Sequence, residues 1–375
     1  MSDRVRMKFV ALVVTFFALT LGNSYSFGQS NLYVRTNLVS DVAGIANFTD
    51  PHLVNPWGIV AADGSGPFWI ADNGTGVATL YNGQGVAFPA GAPLVVTIPP
   101  PPNSRAGAVA APTGVVFNGT TDFVVSAGGK SAPARFIFAT EDGTLSGWNP
   151  TVDATHAILV VNHSGPAQSA DRTRLGAVYK GLAIGNNGSG NFIYAANFRQ
   201  AVVEIYDSQF HFVKAFTDPD VPAGFAPFGI RKINNQLFVT FAKQNAQKHD
   251  DVAGAGNGFV DVFDLNGALV KHFASQGTLN SPWGLALTPG SFGNFGNAIL
   301  VGNFGDGRIN AFDANGNFLG QLQEEHAGIV NPMTVNGLWG LSFGNGGTAG
   351  PTSTLFFTAG IADESHGLFG SIVPQ

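Results

Sequence analysis

The chain has 375 residues, 45% of them hydrophobic and 11% charged, with 50 Gly, 21 Pro, 32 Phe and a formal net charge of −6. This balance excludes nucleic-acid binding by counterion release, which needs a basic face. The absence of Cys excludes disulfides, thiolate metal sites and a thiol nucleophile, and the length suffices for a large core without such staples.

At the N-terminus Arg4, Arg6 and Lys8 precede an apolar run from Phe9 to Leu21, followed by small and polar residues including Ser24, Ser26 and Gly28. This is the three-part pattern of a cleaved secretory signal, placed at residues 1–28. The run is too short to span a bilayer of about 30 Å, and no second long apolar segment follows. The expectation is an exported protein, periplasmic or extracellular, with no membrane span in a mature domain of residues 29–375.

From there one unit recurs six times. In chain order the first unit reads NPWGIV, FWIADN, VATLYN and PLVVTI, and the second APTGVV, FVVSAG, RFIFAT and AILVVN. The third reads YKGLAI, FIYAAN, VVEIYD and FHFVKAF, and the fourth APFGIR, LFVTFA, FVDVFD and ALVKHF. The fifth reads SPWGLA, AILVGN, RINAFD and FLGQLQ, while the sixth has only GLWGLS, LFFTAG and GLFGSI. These are short, β-branched and aromatic runs punctuated by Gly, Asn and Asp, which is the pattern of strands.

The missing last strand lies at the other end of the chain, in YVRTNLVS (Tyr33–Ser40). The pattern predicts an all-β, six-bladed β-propeller of four-stranded blades, closed by that strand. The glycine in each first strand (Gly58, Gly114, Gly181, Gly229, Gly284, Gly340) predicts close backbone approach around the channel. DLNG (Asp264–Gly267) and DANG (Asp313–Gly316) read as hairpin turns rather than calcium loops, which need further ligands. Trp57, Trp283 and Trp339 are expected to pack between blades.

The last letter of each second strand alternates: Asn73, Gly128, Asn197, Ala242, Asn303, Gly360. The loops after the small residues are longer. They carry Lys130 and Arg135, then Lys243, Lys248, His249, Asp250 and Asp251, then Asp363, Glu364 and His366. Loops on one face of a rigid ring are where function is mounted. Lys130, Lys243 and Asp363 are therefore candidate ligand-binding residues.

Asn carbonyls and carboxylates are hard oxygen ligands suited to Ca²⁺. Asn73, Asn197 and Asn303 are candidate ligands, with Asp72, Asp306 or a loop carboxylate completing the set. His249 or His366 is the candidate general base, and Asp250, Asp251 and Glu364 are the carboxylates beside them. No GxSxG, HExxH or P-loop pattern is present.

The combination of NPWGI…FWIADNGTG, FIFATEDGTLSGWNP, AKQNAQKHDDVAGAGNGFVDVFD, SPWGLA…GNFGDGRINAFD and ADESHGLFG resembles an uncharacterised family of secreted bacterial propellers, some with a PEP-CTERM sorting tail. The resemblance covers nearly all of residues 29–375. It implies a six-bladed ring of the TolB-like kind, similar in fold to the calcium-dependent phosphotriesterase and gluconolactonase group. The ending GSIVPQ lacks the PEP motif, so covalent sorting is not expected. Two functions are in view. One is a monomeric propeller binding a small molecule, glycan or protein at one face of the channel. The other is a calcium-dependent hydrolase of lactones or phosphoesters with the metal at the channel mouth.

Overall fold

The computed structural model describes residues 31–102, 104–165 and 176–375; the expected signal at 1–28 lies outside them. The described residues form six antiparallel blades arranged as a ring. Blade 1 runs Pro56–Ala61, Phe68–Asp72, Val77–Tyr81 and Val95–Thr97 from the axis outward, and blades 3, 4 and 5 repeat that order. Blade 6 is built from Leu338–Phe343, Leu355–Ile361 and His366–Pro374, and Tyr33–Ser40 is its outer strand. That strand pairs antiparallel with the chain's last one, from Tyr33 opposite Pro374 to Ser40 opposite Leu368.

Blade 2 departs from the reading by one strand. Its second strand is Phe136–Thr140, followed by Thr144–Trp148 and Ile158–Asn162. FVVSAG belongs instead to a separate hairpin, Val124–Ala127 with Lys130–Pro133, inserted between the first and second strands. Both segments are β-rich with similar letters, and only the pairing distinguishes them.

The core lies between blades, where the flat faces of neighbouring sheets meet. The repeat glycines allow the ring to close tightly. A Cβ on Gly58 would stand 2.5 Å from Thr113 O, and one on Gly284 would stand 2.4 Å from Trp339 O. The same relation passes from each blade to the next and returns from Gly340 to Trp57 O. Such distances exclude any side chain.

Candidate functional site

Antiparallel strands put the turn from second to third strand at the same end of every blade. At that end three tryptophans meet on the axis rather than between blades, contrary to expectation. Trp57 stacks on Trp339 with ring centroids 3.5 Å apart, and Trp283 meets both edge-on at 6.0 and 5.7 Å. The residue before each repeat glycine faces the crowded axis, so large rings there fill it. They pack with Phe198 and Phe228 as a plug. Trp57 Nε1 is buried without a protein partner.

In blade 3 the position of these tryptophans is held by Lys180, which is 2% exposed. Its ammonium contacts Glu141 Oε1, lies 3.5 Å from Asp250 Oδ1, and stands 5.0 Å from the Trp57 ring centroid. Burial opposes the charge, but Glu141 at contact, with Asp250 and Asp251 beyond, outweighs it and holds the ammonium above its ordinary range. Trp283 Nε1 donates to Lys180 O at 2.9 Å and fixes the strand beneath it.

Around this cation stands a collar of polar groups from several blades. Glu141 Oε2 accepts from Asn73 Nδ2 at 2.9 Å. Asn55 Nδ2 donates to Glu364 Oε2 at 2.7 Å, while Asn55 Oδ1 accepts from Trp339 Nε1 at 3.1 Å. The loop after Lys243 brings His249 Nδ1 to 2.7 Å from Asp250 Oδ1. That contact, helped by Lys180, holds Asp250 down to about 2. Burial pushes Asp142, Asp251 and Glu364 up, and for Glu364 the nearby Glu141 adds to the effect.

Glu364 is aimed inward by an unusual turn. Ala362, Asp363 and Glu364 all have positive φ, at 52°, 53° and 63°. Each non-glycine residue in that region costs about 1–2 kcal/mol, so this tight turn stores strain beside the mouth.

The structure thus brings His249, Asp250, Asp251, Glu364 and Asn73 to one mouth. Lys243 and Asp363 are exposed at its loops. His366 turns away and its Nδ1 meets Asp41 Oδ2 at 2.6 Å, so Glu364 and His366 have different partners. Lys130 sits on the inserted hairpin at the opposite end of blade 2. The three asparagines share no partner. Asn197 donates to Gln200 and Glu204, and Asn303 donates to Thr278 O and Asp306.

Glu141 and Lys180 were missed. Aligning blade 2 on FIFATE places Glu141 in the column of Asn73, which breaks the alternation assumed there. Lys180 is the one charged residue preceding a repeat glycine, among Trp57, Thr113, Phe228, Trp283 and Trp339.

Glu141, His249 and Asp250 offer ligand atoms within 4.8 Å of one another. The Lys180 ammonium already contacts both carboxylates, so the set does not fit Ca²⁺, which needs about six to eight free oxygens. Among the described residues no helix is long and apolar enough to cross a membrane.

No family model matches the chain. The uncharacterized protein R648 of Acanthamoeba polyphaga mimivirus is 33% identical over 346 residues, covering 89% of this chain and 78% of that protein. The uncharacterized protein L690 of the same virus is 32% identical over 343 residues, covering 90% and 84%. These relatives are viral rather than the secreted bacterial proteins that the motifs resemble. A streptogramin B lyase structure is similar with a TM-score of 0.50 at 12% identity, covering 92% of this chain and 97% of that one. A putative gluconolactonase reaches 0.49 at 13% identity, covering 87% and 90%. At such identity the likeness to the lyase structure speaks to fold alone. The chain belongs to the family of the mimivirus proteins R648 and L690.

Proposed function

We propose that the plugged end of the channel binds a small hydroxyl-rich molecule, a glycan or polyol, held by the polar collar that stands over the aromatic plug. The observation that carries this reading is the buried Lys180 ammonium, ringed by carboxylates from different blades where the second-to-third-strand turns meet. Glu141, Asp142, Asp250, Asp251 and Glu364 outnumber Lys180, Arg199 and His249 there. An anion would meet net repulsion, whereas hydroxyls find acceptors in the carboxylates and donors in Asn55, Asn73 and Lys180. Converging polar groups with displaced protonation over an apolar floor are the usual makings of a binding site.

A saccharide and polyol panel scored by thermal unfolding tests the reading. A ligand at 100 times its Kd raises stability by about 2.7 kcal/mol. The expected result is a saturable rise for at least one compound, reduced at least tenfold in affinity by Glu141→Gln or Glu364→Gln. A panel without effect, or a rise untouched by both substitutions, would overturn it.

Hydrolysis is a second reading, favoured by the His249–Asp250 contact beside a Glu364 whose carboxyl is shifted towards the protonated form. A base and an acid of that kind suit glycoside or ester cleavage. It requires turnover of the bound compound that His249→Ala abolishes without weakening binding.

A further inference from the structure

Blade 4 carries a second polar cluster on its outer half. Asp218 lies on the connection from Phe212–Phe216 to Phe225–Ile233, and Asp261 sits in the third strand opposite His272 of the outer strand. His272 Nδ1 is 3.0 Å from Asp218 Oδ2 and 3.2 Å from Asp261 Oδ1, and its Nε2 is 3.7 Å from Asp220 Oδ2. Asp218 and Asp261 are 3% and 2% exposed. Asp218 Oδ1 accepts from Asp220 N at 2.9 Å.

An imidazolium alone does not balance this cluster. Nδ1 carries one proton at most, yet two carboxylate oxygens face it. Asp261 Oδ2 is buried with no hydrogen-bond partner, and Asp218 Oδ2, though close to Nδ1, lacks hydrogen-bond geometry to any donor. Asp220 is exposed, while Asp218 and Asp261 bring two buried carboxylates to the one ring nitrogen. Uncompensated buried carboxylate is costly.

The geometry points to a divalent transition-metal site at this rim, with ligands from Asp218, Asp220, Asp261 and His272. Ligand atoms of Asp218, Asp220 and His272 already lie within 4.8 Å of one another. Two ligands stand on rigid paired strands and two on a short connection. Three carboxylate oxygens and one imidazole nitrogen favour Zn²⁺ or Mn²⁺ over Ca²⁺, which prefers a larger all-oxygen shell. Among the described residues no cation side chain contacts these carboxylates, unlike Lys180 at the mouth.

The test is calorimetric titration of the EDTA-treated full chain with Zn²⁺, Mn²⁺ and Ca²⁺, followed by metal analysis. The expected result is uptake of one Zn²⁺ per chain, at least tenfold tighter than Mn²⁺ and tighter still than Ca²⁺. His272→Gln, at a half-exposed position that tolerates change, should weaken Zn²⁺ at least tenfold, as should Asp261→Asn. Glu141→Gln should leave uptake unchanged. Absence of saturable uptake overturns the inference, and so does uptake that survives His272→Gln or is lost in Glu141→Gln. Saccharide binding in His272→Gln reports on the mouth separately, so each reading can fail alone.

Discussion

Asp72 illustrates what one buried group imposes on the whole. Its carboxyl is fully enclosed in blade 1, accepts from Thr79 Oγ1 at 2.8 Å through Oδ2, and has no partner at Oδ1. Burial pushes its pKa well above the usual carboxylate range. The native state therefore keeps a proton that the unfolded chain releases near pH 3.9. Stability is fully present below that value and falls as pH rises towards the folded pKa. Asp72→Asn keeps an acceptor for Thr79 and removes the ionisation. Its Tm should match the wild type near pH 4 and exceed it by a margin that grows towards pH 8. A margin that is flat or shrinks with pH would contradict the assignment.

Among elements, the turn Ala362–Ser365 couples strain to placement. Asp363 is exposed and its φ is 53°, so Asp363→Gly should relieve backbone strain and stabilise by about 1 kcal/mol in denaturant unfolding. A loss of stability would mean that its side chain does more than occupy a turn. Strands and blades were legible in the sequence because Gly, aromatic and Asn punctuation repeats with each sheet. The site was only half legible. The loop around His249 and Asp250 stood out by charge contrast, but an inserted hairpin of strand-like composition displaced the reading of blade 2 and hid Glu141. Lys180 was lost inside a strand motif, since periodicity reports burial and not which buried residue is charged. The tryptophans were assigned to interblade packing because burial alone does not distinguish a blade face from the axis.

At the scale of the molecule, the repeat glycines act as one device. Each lets its strand touch the next blade's backbone, so an error in one place widens the ring everywhere. Gly284→Ala would set a methyl 2.4 Å from Trp339 O, and backbone cannot yield as a side-chain tip can. The expected cost is about 2–3 kcal/mol, in the range of overpacked cores, read from urea unfolding. An unchanged midpoint would show that the ring breathes more than its contacts imply.

The clasp between Tyr33–Ser40 and His366–Pro374 has a consequence for how the protein comes into being. During synthesis the earliest blade strand emerges with its partner still unmade, and all five other blades are laid down before that partner appears. Until then blade 6 has no outer strand, and the waiting segment is a free β-edge, open to pairing with any neighbouring chain. The ring is thus a structure whose first-made blade strand finds its partner in the blade last.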